Sequence, residues 1–204
     1  MTQWRLFDGD TTPTVSTMEF HAARQRAPHL EQPGHRPRLL LAAELIRGLH
    51  PASVVDLGCG DGGLLALLAE DPPIRAWGYD FCPANALGWA TRGVNGELRD
   101  VFNGHDVPRW GQLAVLTEVL EHLADPPAAL AWVARHVRYV VASSPQWETD
   151  TTHDECHAWA WDMAGFRALF EPEFDVLSHV AADWSQILVA RIRNDVTDTC
   201  TVAA

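Results

Sequence analysis

The sequence contains no lysine. All fifteen basic residues are arginine, they face twenty-seven carboxylates, and the formal net charge at pH 7 is −12. Because a positive surface drives phosphate binding, this balance makes nucleic acid an unexpected partner. The chain also lacks an apolar run near the ~20 residues of a membrane span, and its N-terminus has no basic region followed by an apolar stretch. We therefore expect a cytoplasmic protein without a membrane segment.

Cysteine is scarce and scattered. Cys59, Cys82, Cys156 and Cys200 form no C-x-x-C pair, so neither a zinc knuckle nor a disulfide framework is indicated. Reduced thiols are the expected state. The sequence has no internal repeats, and its 204 residues suit one domain with a sizeable core. It does not specify an oligomeric state.

Short apolar runs alternate with helical segments. "SVVDLG", "IRAWGYD", "QLAVLTE" and "RYVVASSP" predict buried strands. Strands and helices alternate five times before a closing helix–strand–strand, which predicts an α/β fold with a Rossmann-like, doubly wound sheet, mostly parallel with one antiparallel strand near the C-terminus. We divide the chain into an N-terminal arm and helix over residues 1–50, which could cover a site, a main domain over 51–193 and a flexible tail over 194–204.

The stretch "VVDLGCGDGG" at residues 54–63 predicts a ligand-binding turn at a strand end, where such sheets bind ligands. Gly58 and Gly60 allow a sharp turn and a close approach, but their spacing departs from the G-x-G-x-x-G of dinucleotide binders. Asp56 suits a ligand with an ammonium group and no phosphate. Asp80 ends the next strand, where it can accept ribose hydroxyls, and Asp100 follows the third strand at a place suited to an adenine amine.

The order "DLGCGDG", "GYD", "LRD" and "LTEVLEHL" resembles the class I S-adenosylmethionine-dependent methyltransferases over roughly residues 51–193. The resemblance implies seven strands, the last antiparallel, and S-adenosyl-L-methionine as cofactor. The residues expected around that cofactor are Asp56, Gly58, Cys59, Gly60, Asp80, Phe81, Asp100, Val101, Thr117 and Glu118.

The stretch "LTEVLEHLADPP" leaves two interpretations open. If a helical turn begins at Glu118, the side chains of Glu118, Glu121 and His122 share one face. Similar stretches in small-molecule methyltransferases that resemble the ubiquinone-pathway O-methyltransferases work without metal. There, Glu118 would lie near the methionine part of the cofactor and His122 would be a candidate base.

The small-RNA 3′-terminal ribose 2′-O-methyltransferases use the same E-x-x-E-H for three metal ligands and a later histidine for a fourth, which His157 of "HAWAW" would match. Departures from the RNA pattern and the acidic balance favour the metal-free interpretation. A divalent metal, if bound, would be held by Glu118, Glu121, His122 and His157.

Two further groups of residues keep alternative interpretations. The arm histidines, His21, His29 and His35, are either solvated or folded over the cofactor. The acids of the polar insert after "RYVVASSP", among them Glu148 and Asp154, either solvate a loop or attract a cationic acceptor.

We expect an enzyme that transfers a methyl group from S-adenosylmethionine to a small molecule, with oxygen the preferred acceptor atom. His122 is the first candidate for general base and His157 the second, with Glu118 as a third catalytic residue. The alternatives are a metal-assisted RNA 3′-terminal ribose 2′-O-methyltransferase and a non-catalytic module that binds S-adenosylmethionine. The sequence does not identify the methyl acceptor.

Overall fold

A computed structural model describes residues 2–6, 17–24, 28–104 and 106–193. The predicted flexible tail, 194–204, lies outside the described residues. The strands are β1 (Gln3–Arg5), β2 (Val54–Leu57), β3 (Ala76–Asp80), β4 (Gly96–Leu98), β5 (Leu113–Thr117), β6 (Tyr139–Pro145), β7 (Trp159–Trp161), β8 (Phe174–Ala182) and β9 (Ser185–Ile192). The α-helices are α1 (Met18–Arg24), α2 (Arg36–Gly48), α3 (Gly63–Ala69), α4 (Ala86–Arg92), α5 (Pro126–Ala134) and α6 (Met163–Phe170).

Seven strands form the main sheet, in the order β4-β3-β2-β5-β6-β9-β8. The strands from β4 to β6 pair in parallel, and β9 runs antiparallel to both of its neighbours. This confirms the predicted doubly wound sheet with one antiparallel strand near the C-terminus. The strand order reverses beside β2, which is where ligands bind in such sheets.

The two faces of the sheet bury different residues because successive side chains of a strand point to opposite sides. Val54 packs in one apolar cluster with α2 and α3, whereas Val55 packs in the other with α5 and α6. The second cluster contains large, fully buried aromatic rings, including Trp161, Phe166 and Phe170. Both faces of the central strands are therefore covered by described residues, which leaves the strand ends as the open direction at the reversal point within this part of the chain.

Helix α2 is part of the main core. Its residues Leu39, Ala42 and Ile46 are buried in the same cluster as Val141 and Ile187 of the sheet. The proposed boundary at residue 50 stays a prediction, but this packing holds α2 firmly against the sheet. None of the helices in the described ranges has the length and apolar character that a bilayer crossing requires.

A second, two-stranded sheet was not expected from the sequence. Strand β1 pairs antiparallel with β7, Gln3 opposite Trp161 and Arg5 opposite Trp159. Gly165 at the start of α6 allows this contact, because a Cβ there would lie 2.1 Å from the carbonyl oxygen of Thr2. The small sheet joins the beginning of the described chain to the segment that carries His157.

Candidate functional site

The carboxyl ends of β2, β3, β5 and β6 open into a cavity of about 1410 Å³. A site for one small ligand usually measures ~300–1,000 Å³, so the cavity has room for a cofactor and a second molecule. Every residue predicted to contact the cofactor lines it, from Asp56 to Glu118. The predicted base candidates His122 and His157 line it too. The individual roles of these residues stay predictions.

The turn after β2 depends on glycine at two positions. Gly58 has a φ of +92° and Gly60 a φ of +53°, which side chains with a Cβ rarely adopt. A Cβ on Gly58 would lie 2.5 Å from Cγ2 of Val119, and one on Gly60 would lie 2.9 Å from Cε1 of His29. Both glycines are therefore required by backbone conformation and by packing.

Asp80 at the end of β3 organises this turn. Its carboxylate accepts hydrogen bonds from the backbone N–H of Gly60 at 2.9 Å and of Cys82 at 2.8 Å, and from Nδ2 of Asn85 at 3.0 Å. Burial raises the pKa of Asp80 above its usual value, although these hydrogen bonds oppose the effect. A carboxylate offers about four acceptor positions, so Asp80 keeps capacity for the predicted ribose hydroxyls.

Asp56 and Arg38 are buried at the same end of the cavity, and each leaves polar atoms without hydrogen bonds to described residues. Burial, helped by the charge of Asp80 and opposed by Arg38, raises the pKa of Asp56 to about 7, and its Oδ1 is unpaired. Arg38 is 5% exposed and forms an ion pair with Oε2 of Glu118 at 3.2 Å, yet its Nε and Nη1 make no hydrogen bond. A buried acid beside a buried cation fits a ligand end carrying both an ammonium and a carboxylate, as S-adenosylmethionine does.

The sequence pattern contains a signal for Arg38, which was not among the predicted site residues. The buried residues of α2 include positions 38, 39, 42, 43 and 46, which repeat at helical spacing. Arg38 is the one charged residue on that buried stripe. A cation on an otherwise apolar helix face requires a partner, and that requirement points to the cavity.

Replacing Asp56 by asparagine is expected to change how stability depends on pH. Because the folded state binds the Asp56 proton more tightly than the unfolded state, its contribution is present at low pH and is lost as the pH rises through about 7. Asn does not titrate, so the free energy of unfolding of Asp56→Asn should gain ~2–3 kcal/mol relative to the parent between pH 5 and pH 8. Urea unfolding at several pH values measures this difference. Asp100→Asn, which removes an exposed carboxyl from the same cavity, is the control, and an equal gain there would contradict the role of burial.

The turn after β5 is not the helix that the E-x-x-E-H spacing suggested. Glu118 has a φ of +56°, and a short 3₁₀ turn spans Leu120–His122. Glu118 therefore faces Arg38 and Ser143, whose Oγ donates to its Oε1 at 2.7 Å. The condition for Glu118, Glu121 and His122 to share a face, a helical turn that begins at Glu118, is not met, because Glu118 is left-handed and the turn begins at Leu120.

The structure brings three of the four suggested metal ligands together. One ligand atom each of Glu121, His122 and His157 lies within 4.8 Å of the others, and Glu118 is not in that group. Glu121 is fully buried, and neither of its oxygens has a hydrogen-bond partner among the described residues. Burial, followed by the charge of Glu118, raises the pKa of Glu121 well above its usual range. Burial thus disfavours the charged form of this carboxyl beside the two imidazoles.

His122 and His157 form the wall of the cavity opposite the glycine turn. Their ring centroids are 4.7 Å apart with nearly perpendicular planes. Nδ1 of His122 lies 3.1 Å from the carbonyl oxygen of Cys156, and Nδ1 of His157 lies 2.6 Å from Oε2 of Glu148. Carbonyl and carboxylate oxygens only accept, so both Nδ1 atoms carry the proton and Nε2 is the acceptor atom of each neutral ring. Glu148, in the insert, was not assigned this role from the sequence.

The arm histidines contact the site. His21 on α1 packs edge-on against Phe81 and against His122, with centroid distances of 5.4 and 5.2 Å. Arg24 of the same helix forms an ion pair with Asp154 of the insert at 2.7 Å. Helix α1 therefore bridges the side of the cavity that holds Phe81 and the side that holds the two imidazoles.

His29 holds the other part of the arm on the glycine turn. Its Nδ1 and its backbone N–H donate to the carboxylate of Asp61, at 2.8 and 3.1 Å, and Arg92 donates to the same group at 2.8 Å. Burial opposes ionisation of Asp61, but the hydrogen bonds from His29 and Arg92 outweigh it and hold the pKa of that carboxyl well below its usual range. The arm and the predicted cofactor turn are thus one hydrogen-bonded unit.

Comparisons with known proteins agree with this geometry. A family model described as "Methyltransferase domain" matches residues 24–173. The fold is similar to that of the N-methyltransferase NodS from Bradyrhizobium japonicum WM9, solved with S-adenosyl-L-homocysteine (TM-score 0.71, 18% identity, 89% of this chain and 100% of that one). It is also similar to magnesium protoporphyrin IX methyltransferase from Synechocystis PCC 6803, solved with bound SAM (TM-score 0.63, 14% identity, 88% and 93%). A comparison with curated proteins gave no match. The chain belongs to the methyltransferase domain family and is an S-adenosylmethionine-dependent methyltransferase.

Proposed function

We propose that the enzyme methylates a hydroxyl oxygen of a small molecule, with His157 as the general base and Glu148 as the residue that positions it. The observation that carries the proposal is the 2.6 Å contact between Nδ1 of His157 and Oε2 of Glu148 at the cavity wall. S-adenosylmethionine supplies the methyl group as a sulfonium with a good leaving group. A hydroxyl acceptor must lose its proton as it attacks, which is the part of the reaction that the protein has to provide.

The Glu148–His157 pair suits that proton transfer. Glu148 fixes the tautomer in which Nε2 of His157 can accept a proton, and its charge stabilises the imidazolium that forms. The side chain of His157 is 7% exposed and that of Glu148 17%, so water screens this interaction little. The sequence favoured His122 as base. His157 is the stronger candidate because the carboxylate of Glu148 contacts it directly, and His122, whose Nδ1 donates to a backbone carbonyl, would orient the acceptor.

The choice of a small molecule rests on the shape of the site and on the neighbours. We call the part of the cavity beside His122 and His157 the acceptor end. Two elements line the cavity there, the insert with Glu148 and Asp154 and helix α1 with His21. The acceptor end is therefore enclosed on two sides. A walled cavity suits a compact acceptor, and alignment of such an acceptor with the methyl group accounts for much of the rate in displacement reactions. Among the structural neighbours, NodS is named as an N-methyltransferase and the Synechocystis protein as a magnesium protoporphyrin IX methyltransferase. The second name specifies a small-molecule acceptor, which supports the choice.

Incubation with methyl-labelled S-adenosylmethionine tests the proposal. Panels of alcohols and phenols, amines, carboxylic acids and short RNAs should be offered to the enzyme, and the labelled products identified by mass spectrometry. We expect label in an alcohol or phenol. Label confined to amines or carboxylic acids would contradict the acceptor atom, and label on RNA 3′ ends that EDTA abolishes would support the metal-assisted alternative instead.

A further inference from the structure

We propose a second binding site in this enzyme: His21, His122 and Cys156 bind one divalent transition-metal ion and thereby fix helix α1 to the wall of the acceptor end. One ligand atom from each of the three residues lies within 4.8 Å of the other two. Two imidazole nitrogens and one sulfur form a donor set that suits Zn²⁺ and Co²⁺ better than Mg²⁺ or Ca²⁺. Three protein ligands leave a fourth tetrahedral position for water.

The backbone already holds two of these ligands in place. His122 donates from Nδ1 to the carbonyl oxygen of Cys156 at 3.1 Å. The imidazole is therefore held beside the residue that carries the thiol. Such second contacts orient metal-binding histidines and select the nitrogen that ligates. Because Nδ1 of His122 carries the proton of this hydrogen bond, ligation through Nε2 would leave the hydrogen bond to Cys156 intact.

The thiol of Cys156 has two charged neighbours. Its Sγ donates to Oδ1 of Asp154 at 3.1 Å and accepts from Nη1 of Arg24 at 3.7 Å. Arg24 is itself paired with Asp154 at 2.7 Å, so its charge adds little repulsion toward a second cation. When the metal binds, Cys156 releases its thiol proton to solvent and the metal exchanges three water ligands for protein atoms.

The third ligand makes the site depend on the arm. His21 lies on α1, which has no buried residue of its own, whereas Cys156 is fully buried. A metal bound between them would hold a loosely packed helix against a rigid wall. If His122 orients the acceptor as proposed above, a bound metal also prevents this imidazole from contacting the acceptor. Metal binding itself does not depend on the proposed reaction.

Cobalt spectroscopy tests the site without an activity assay. The full-length protein should carry Cys200→Ser, be stripped with EDTA and then be titrated with Co²⁺. We expect one ion per chain and the near-ultraviolet charge-transfer band of a thiolate bound to cobalt, which Zn²⁺ should abolish by displacement. Cys156→Ser should remove the band, and Cys82→Ser, which also replaces a buried thiol, should retain it.

Two variants test whether a loss of binding reflects misfolding and whether the neighbouring group of Glu121, His122 and His157 binds the metal instead. His21→Ala, in a helix without buried residues, should keep the melting temperature and lower Co²⁺ affinity at least ~10-fold. His157→Ala should keep the band, whereas a site made by Glu121, His122 and His157 would lose its metal. Zn²⁺ should also slow hydrogen exchange in residues 17–24. Absence of Co²⁺ binding, binding without the thiolate band, or a band that survives Cys156→Ser would overturn the proposal.

Discussion

Replacing His157 by alanine is expected to lower kcat by about 10²–10⁴, the usual contribution of a general base. The imidazole lines the cavity and is held by Glu148 at 2.6 Å, so its loss removes the proton acceptor and leaves the Glu148 carboxylate with no imidazole to position. Single-turnover rates with an acceptor found in the labelling experiment measure the effect. The affinity for S-adenosyl-L-homocysteine, measured by calorimetry, should change less than about threefold if the cofactor end is intact.

Glu148→Gln provides the matched comparison for His157→Ala. Glutamine keeps the size of the side chain and can still accept the Nδ1 proton, but it cannot stabilise an imidazolium by charge. We expect a smaller loss of kcat, about tenfold, because the base is still positioned but its charged form is stabilised less. A loss as large as that of His157→Ala would mean that Glu148 acts only by holding the insert. If His157→Ala leaves kcat within twofold, His157 is not the base.

Replacing Gly58 by alanine is expected to destabilise the fold by ~2–4 kcal/mol and to abolish measurable cofactor binding. The added Cβ meets Cγ2 of Val119 at 2.5 Å, and it also has to adopt a φ of +92°. Backbone strain of this kind and overpacking each cost ~1–3 kcal/mol. The turn would shift to relieve the contact, and with it the backbone of Gly60 that donates to Asp80. Urea unfolding and calorimetry with S-adenosyl-L-homocysteine measure the two effects.

Gly93 is the matched control for Gly58, since it also has a positive φ, +66°, but a Cβ there would have no atom within 4 Å. Gly93→Ala should therefore cost only about 1 kcal/mol, from the backbone alone, and leave cofactor binding intact. Adding Val119→Ala to Gly58→Ala should restore part of the stability by making room for the Cβ. Equal losses from Gly58→Ala and Gly93→Ala would show that packing against Val119 is unimportant.

The fold was predictable, and so was the cofactor end of the cavity, which holds Asp56, the glycine turn and Asp80. Both depend on local sequence. The strand endings at Asp56 and Asp80 and the glycines between them are fixed by runs of fewer than ten residues, and the topology of a doubly wound sheet then brings those endings together. The conformation of Glu118 could not be predicted in the same way. Its left-handed backbone cannot be read from E-x-x-E-H spacing, because a three-residue turn leaves no periodicity that distinguishes it from a helix.

The acceptor end was less predictable because its contacts join distant parts of the chain. His21 packs on His122 and Arg24 pairs with Asp154, although each partner lies more than a hundred residues further along the sequence. Polar residues in irregular segments carry no pattern that would select such a partner. The carboxylate of Glu148 was recognisable only as one acid among several in the insert, and the structure is needed to place it against His157.

Strand β1 has a consequence for how the chain is made. Its partner β7 is synthesised more than 150 residues after it. Contacts of such long sequence separation form late in folding, since the loop must close before they stabilise anything. The strands that end in the cofactor turn, β2 and β3, are neighbours in sequence as well as in space. A nascent chain stalled before residue 159 would therefore already be able to form the cofactor turn while the wall that carries His157 is still incomplete.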